Sequence, residues 1–219
     1  MADVTDDDHA HDHSHERHDH DGHDHAHPAP LAPDDPRLEA VRQRLEDARS
    51  AVRPSGLAAP HASGTVLPGS IPGRVDVVVS RRLSIPRPHA WHGLTTSDGL
   101  AEWFGTIDSG PSGGTATVTM LAEDGHPSVD LQILACEAPG LLVVRMGDWT
   151  MEVRLDVDGE GCFVAIRHVD VDPAMVGEVG PGWEYYADRW LAAATGGDPT
   201  AVDFAEYHPA MAEHFTRQL

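Results

Sequence analysis

The sequence predicts an α+β domain in which a six-stranded antiparallel sheet wraps one long helix. Three observations predict it. Five strand signals follow one another between residues 114 and 171, separated by short turn sequences. Within one of them, Trp149, Met151, Val153 and Leu155 alternate with Thr150, Glu152, Arg154 and Asp156, the pattern of a strand with one buried and one wet face. After these strands, Trp183, Tyr186, Ala187, Trp190, Leu191 and Ala194 fall at helical spacing and make a wide apolar stripe. Runs of strands followed by a segregated helix mean α+β rather than alternating α/β.

The elements are justified in chain order. Residues 1–30 read MADVTDDDHAHDHSHERHDHDGHDHAHPAP, a polar low-complexity tract with too few apolar residues to form a core, and are expected to be disordered. In residues 36–53, Leu38, Val41, Leu45, Ala48 and Val52 make one apolar stripe on a helix, with Pro36 in its first turn and Pro54 as its stop. That helix either docks on its own domain or forms a dimer contact. Four prolines and four glycines mark 54–73 as a linker, so the compact domain is expected to start at Arg74 and run to residue 197.

RVDVVVSRRLSI (74–85) is a β-branched strand that Pro86 and Pro88 end. Two short helices follow at 89–95 and 97–105, the second with Ser97 as its N-cap. The five strands are 114–121, 128–137, 141–146, 149–157 and 162–171, with GHP, APG, GD and DGEG between them. Gly180-Pro181-Gly182 precedes the long helix at 182–195, and Gly196-Gly197 closes it. Residues 198–219 form a C-terminal extension with room for one more short helix.

Charge narrows the function. The formal net charge is −21, and every one of the 15 cationic residues is an arginine. The first 30 residues hold nine of the 16 histidines and nine acids against Arg17 alone, a formal −8; the remainder carries −13. Binding to nucleic-acid backbones or anionic membranes needs a positive field, so neither is expected as a partner. No apolar run is long enough to span a bilayer, and no secretory signal is evident at the N-terminus, so a cytoplasmic location is expected. Cys136 and Cys162 show no metal or redox spacing and are read as packed strand residues.

The residues that follow the first strand carry a family resemblance. IPRPHAWHGLTTSDGLAEWFG (85–105) resembles the opening of the SRPBCC domains, specifically the bacterial homologues of the activator of the 90-kDa heat-shock protein ATPase. Trp91, Leu94, Thr95, Leu100, Trp103, Phe104 and Gly105 occupy the places of that pattern. VAIRHVDV (164–171) resembles the family's last strand, which commonly carries a histidine where His168 stands, and GPGWEYYADRWLAAATGG (180–197) is similar to its C-terminal helix. The resemblance implies a helix-grip, START-like fold with an internal apolar cavity. Members bind hydrophobic small molecules, assist chaperones or, in cyclase-like relatives, catalyse. Fold alone does not choose among these.

Two sets of residues carry chemistry. His9, His11, His13, His15, His18, His20, His23, His25 and His27 are interleaved with carboxylates, a pattern suited to capture of Zn, Ni or Cu by a flexible chain. Inside the domain, Trp149, Met151, Met146, Met120, His168, Trp183, Tyr186 and Trp190 are the candidate lining of a ligand cavity. His89 and His92 are expected on the surface. No Ser-His-Asp order, nucleotide loop or HExxH motif is present. The leading expectation is a non-catalytic module that holds a hydrophobic small molecule, with metal capture by the tail and no cofactor demanded by the fold. The alternatives are a chaperone-activating interaction protein, a metal store or delivery protein, and a cyclase-like enzyme. The binding module requires an apolar pocket of roughly 300–1,000 Å³ between helix and sheet.

Overall fold

The computed structural model describes Ala32, residues 34–39 and residues 60–219. The nine tail histidines, most of the 36–53 helix and the first part of the linker lie outside the described residues. Eight strands, not six, form one antiparallel sheet: β1 (Thr65–Pro68), β2 (Val75–Leu83), β3 (Gly105–Ile107), β4 (Thr115–Met120), β5 (Ser128–Glu137), β6 (Leu141–Met146), β7 (Trp149–Asp158) and β8 (Gly161–Val171). Their spatial order is β1-β2-β8-β7-β6-β5-β4-β3. The curved sheet grips α3 (Val176–Ala194), and two short helices, α1 (Arg87–Thr95) and α2 (Ser97–Ala101), connect β2 to β3. A last helix, α4 (Ala212–Thr216), packs against α3.

The two extra strands were hidden by their length and their neighbours. β1 lies within the stretch read as a Pro/Gly linker and is paired on β2, with Thr65 opposite Val78. The turn after it is fastened by Asp170, which accepts hydrogen bonds from the backbone N–H of Ser70 and Ile71 at 2.7 and 3.0 Å. β3 has three residues, too few for an alternation to register. Between α1 and α2 the cap is Thr96 rather than Ser97: its hydroxyl accepts from the Gly99 N–H at 3.2 Å. Gly99 is also needed for contact, because a Cβ there would lie 2.7 Å from the Gly93 Cα.

The long helix begins at Val176, a turn and a half before the glycines read as its border, so Pro181 lies inside it. Asp172 starts the preceding turn, its carboxylate accepting from the Ala174 N–H. The glycines serve packing. A Cβ on Gly180 would meet the Phe215 ring at 2.4 Å, and the same ring bars a side chain at Gly64. Phe215, fully buried, thus fills a hollow shared by α3 and the residues before β1. Tyr207 and Met211 join the same core, so residues 198–219 complete the domain rather than trail from it.

β7 has no wet face at its middle. Glu152 and Arg154 are buried, and they belong to an ion-pair chain on the convex side of the sheet. Arg167 donates to Asp76 and to Glu152, both at 2.8 Å, and Arg154 reaches Glu152 at 3.4 Å. Leu38, on the helical residues 36–39, packs with Val78, Phe163 and Ala165 beside this chain, and Arg37 approaches Asp76 at 3.7 Å. The start of the amphipathic segment therefore docks on its own domain, and charges that simple alternation assigns to water are paired under it.

Candidate functional site

α3 meets the two sides of the sheet unequally. Along β2 and β8 the fit is close: Val77, Val79, Val164 and Ile166 are fully buried against it. The seam there, bounded by Leu83, Ala187 and Trp190 among others, admits no water-sized body. The enclosed cavity expected between the long helix and the sheet is therefore absent on this side, because Trp190 and Ala187 fill it. On the other side, Met120, Val129, Leu131, Ile133 and Met146 pack against the core but remain only partly covered.

Trp149 and Trp183, both singled out from the sequence as cavity lining, flank His168 at this partly open mouth. β8 carries Val164, Ile166 and His168 on its concave face, and β7 pairs Met151 with His168. The His168 ring centre lies 4.8 Å from that of Trp149 and 6.3 Å from that of Trp183. The Trp183 indole N–H donates to His168 Nδ1 at 3.3 Å. Burial among rings disfavours the imidazolium and pulls the His168 pKa down to about 4. The imidazole is therefore neutral at neutral pH, with Nδ1 as an acceptor.

Tyr186 stands one turn along α3 from Trp183, with ring centres 6.2 Å apart, and packs on Phe104 at 4.7 Å. Its phenol donates to Glu123, on the turn between β4 and β5, across the mouth. Burial, together with that carboxylate, holds the phenol well above its usual pKa. Glu123 has no sequence signal: it is one acid among many in a polar turn, and only the approach of the turn to the helix gives it a role. Met120 and Met146 sit on the partly open side and Met151 is buried beneath His168. Trp149 is 44% exposed, so it rims the mouth rather than filling it.

Trp190 does not join this group. It stacks on Trp103 with centres 4.6 Å apart and planes 4° from parallel. Beyond it, between α1, α2 and the C-terminal half of α3, opens a half-enclosed cleft of about 220 Å³. His89 and His92, expected on the surface, are exposed and border it. Cys162 is buried, its thiol pushed up to about 11 by burial, while Cys136 is exposed, against the expectation that both are packed. Among the described residues no group of three or more histidine, cysteine or acidic side chains is placed to hold a metal ion, and no helix is long and apolar enough to cross a membrane.

No protein-family model and no curated protein matches the chain. Solved structures do. CalU16 from Micromonospora echinospora aligns with a TM-score of 0.56 at 20% identity, over 71% of this chain and 96% of that one. A conserved protein of unknown function, EF2215 from Enterococcus faecalis, aligns with a TM-score of 0.56 at 14% identity, over 71% and 92% of the two chains. DynU16, from the dynemicin biosynthetic locus, aligns with a TM-score of 0.50 at 19% identity, over 57% of this chain and 49% of its own. At these identities the likeness is one of architecture alone: the chain shares a helix-grip fold, a curved antiparallel sheet around a long helix, with these proteins.

Proposed function

We propose that this protein is a non-catalytic binding module that holds a hydrophobic small molecule at the mouth between α3 and strands β4–β6. The observation that supports it most is the partly covered apolar set of Met120, Leu131, Ile133 and Met146 on the sheet face that also carries a buried, neutral His168. Methionine and aromatic side chains adapt to a ligand's shape, and an imidazole and a phenol supply a few orienting hydrogen bonds. A histidine with so low a proton affinity, flanked by indole rings instead of a carboxylate, is a weak general base near neutral pH, which favours holding over catalysis. The resemblance of 85–105 to SRPBCC domains and the likeness to DynU16, from a biosynthetic locus, support an apolar ligand of natural-product type. For the tail, the interleaved histidines support divalent-metal capture; calorimetric titration with zinc should lose its heat when residues 1–30 are deleted.

Titration with the neutral dye Nile red tests the main reading. Emission should rise and saturate, and Leu131→Asp, with its circular dichroism unchanged, should weaken binding about tenfold or more. Absence of saturation, or an unchanged affinity in that variant, would overturn it.

A further inference from the structure

The cleft beyond Trp190 has the features of a second site, separate from the mouth. Its volume of about 220 Å³ is below that of clefts for drug-sized ligands, so its occupant is mono- or bicyclic. One wall is apolar, built from Ile85, Ala193 and Ala194, and another is aromatic, the stacked pair Trp103 and Trp190. Gly93 leaves the Trp190 Nε1 uncovered: a Cβ there would stand in van der Waals contact with it, at 3.4 Å.

The polar groups are unequally satisfied. The Trp103 indole N–H donates to the Gly93 carbonyl at 2.9 Å. The Trp190 indole N–H, on a side chain only 3% exposed, meets no acceptor among the described residues. That donor is not sealed off, so it is open to an acceptor from outside the chain, water in the cleft or the heteroatom of a ligand. At the rim, Asp98 and Glu102, four apart, carry no ion pair among the described residues. His89 and His92 on α1 complete the rim, and imidazole offers both a donor and an acceptor. With a formal net charge of −21, the protein attracts cations.

We infer that this cleft binds a small aromatic amine that presents an oxygen or nitrogen acceptor to the Trp190 N–H and its ammonium to Asp98 and Glu102. The apolar and aromatic walls take the ring, and the two carboxylates select an amine over an acid of the same shape.

Tyramine is a suitable probe, with a phenol oxygen at one end and an ammonium at the other. In a ¹H–¹⁵N spectrum of the full chain, the Trp190 indole resonance, assigned with Trp190→Phe, should shift and saturate. Asp98→Asn with Glu102→Gln should weaken the interaction about tenfold, and 4-hydroxyphenylacetate should bind weaker than tyramine by at least as much. Ala194→Phe, which fills the cleft, should abolish the shift. No saturable shift, a shift that survives Ala194→Phe, or equal binding of the acid would overturn the inference. Tyramine should still bind in the presence of saturating Nile red; displacement would show one shared site instead of two and would also overturn the inference, whereas loss of Nile red binding alone would leave it standing.

Discussion

The two wings of the sheet hold α3 in different ways. On the β2–β8 wing, valines and isoleucine are fully buried, and a polar knot ties helix, strand and chain entry together. Glu184, with no exposure, accepts from the backbone N–H of Ser63 and Gly64, both at 2.6 Å, and from the Arg81 guanidinium at 2.6 Å. Asp188 receives the other side of Arg81 at 2.6 Å and the Tyr207 hydroxyl at 2.7 Å. On the β4–β6 wing Val118, Leu142 and Val144 are buried, but Met120, Leu131, Ile133 and Met146 are only partly covered, and among the described residues the link to the helix is one hydrogen bond, from Tyr186 to an exposed Glu123. The contrast teaches a division of labour. One wing carries the stability that fixes the helix, and this leaves the other free to stay open and adaptable.

The largest expected effect breaks the tight wing. Glu184→Ala strands two backbone donors and half of the Arg81 guanidinium, and should cost about 3–5 kcal/mol in urea unfolding. A loss below about 1 kcal/mol would show that the knot does not hold the wing.

Next comes pH, which acts where the wings meet. An unfolded histidine titrates near 6.5, whereas folded His168 stays neutral down to about 4. Above about 6.5 both states are neutral and stability is complete; as pH falls from there towards 4, only the unfolded state takes up the proton, and stability is lost. His168→Gln keeps an acceptor for Trp183 but cannot titrate. Between about pH 7 and about pH 4.5 it should lose some 2–3 kcal/mol less than the parent chain. Parallel losses would mean that His168 is hydrated.

Smaller effects sharpen the open wing. Tyr186→Phe removes the bond to Glu123 and should cost about 1 kcal/mol, while speeding Nile red association and release in stopped flow. Unchanged rates would deny the turn any control of the mouth. Smallest in stability is Trp149→Ala, expected within about 0.5 kcal/mol because the ring stands 44% exposed at the rim, yet with weakened Nile red affinity. A large loss of stability there would make Trp149 part of the core.

Much of the fold was legible because periodicity reports burial. β2 and β4–β8 stand within a residue or two of the segments that alternation and β-branching mark out. What escaped had physical reasons. The start of α3 was masked because Gly177, Gly180 and Pro181 are poor helix formers, and their place in the helix is decided by Phe215 and α4, more than thirty positions further on. The charged face of β7 was misread as wet because alternation distinguishes polar from apolar, not paired from solvated. At the mouth, aromatic and methionine positions were legible as types, and His168 by its place on β8. Glu123 and the Trp190 cleft were not, since both arise from distant segments meeting.

The Phe215 ring also bears on how the domain comes into being. His214, beside it, bonds the Gly64 carbonyl across 150 positions. Until synthesis has passed α4, the hollow over Gly64 and Gly180 has no occupant. A nascent chain that has already made its whole sheet and α3 still presents that apolar hollow to the solvent. Closure of the domain therefore waits for α4, and in the interval before it an apolar hollow stays open to unwanted association.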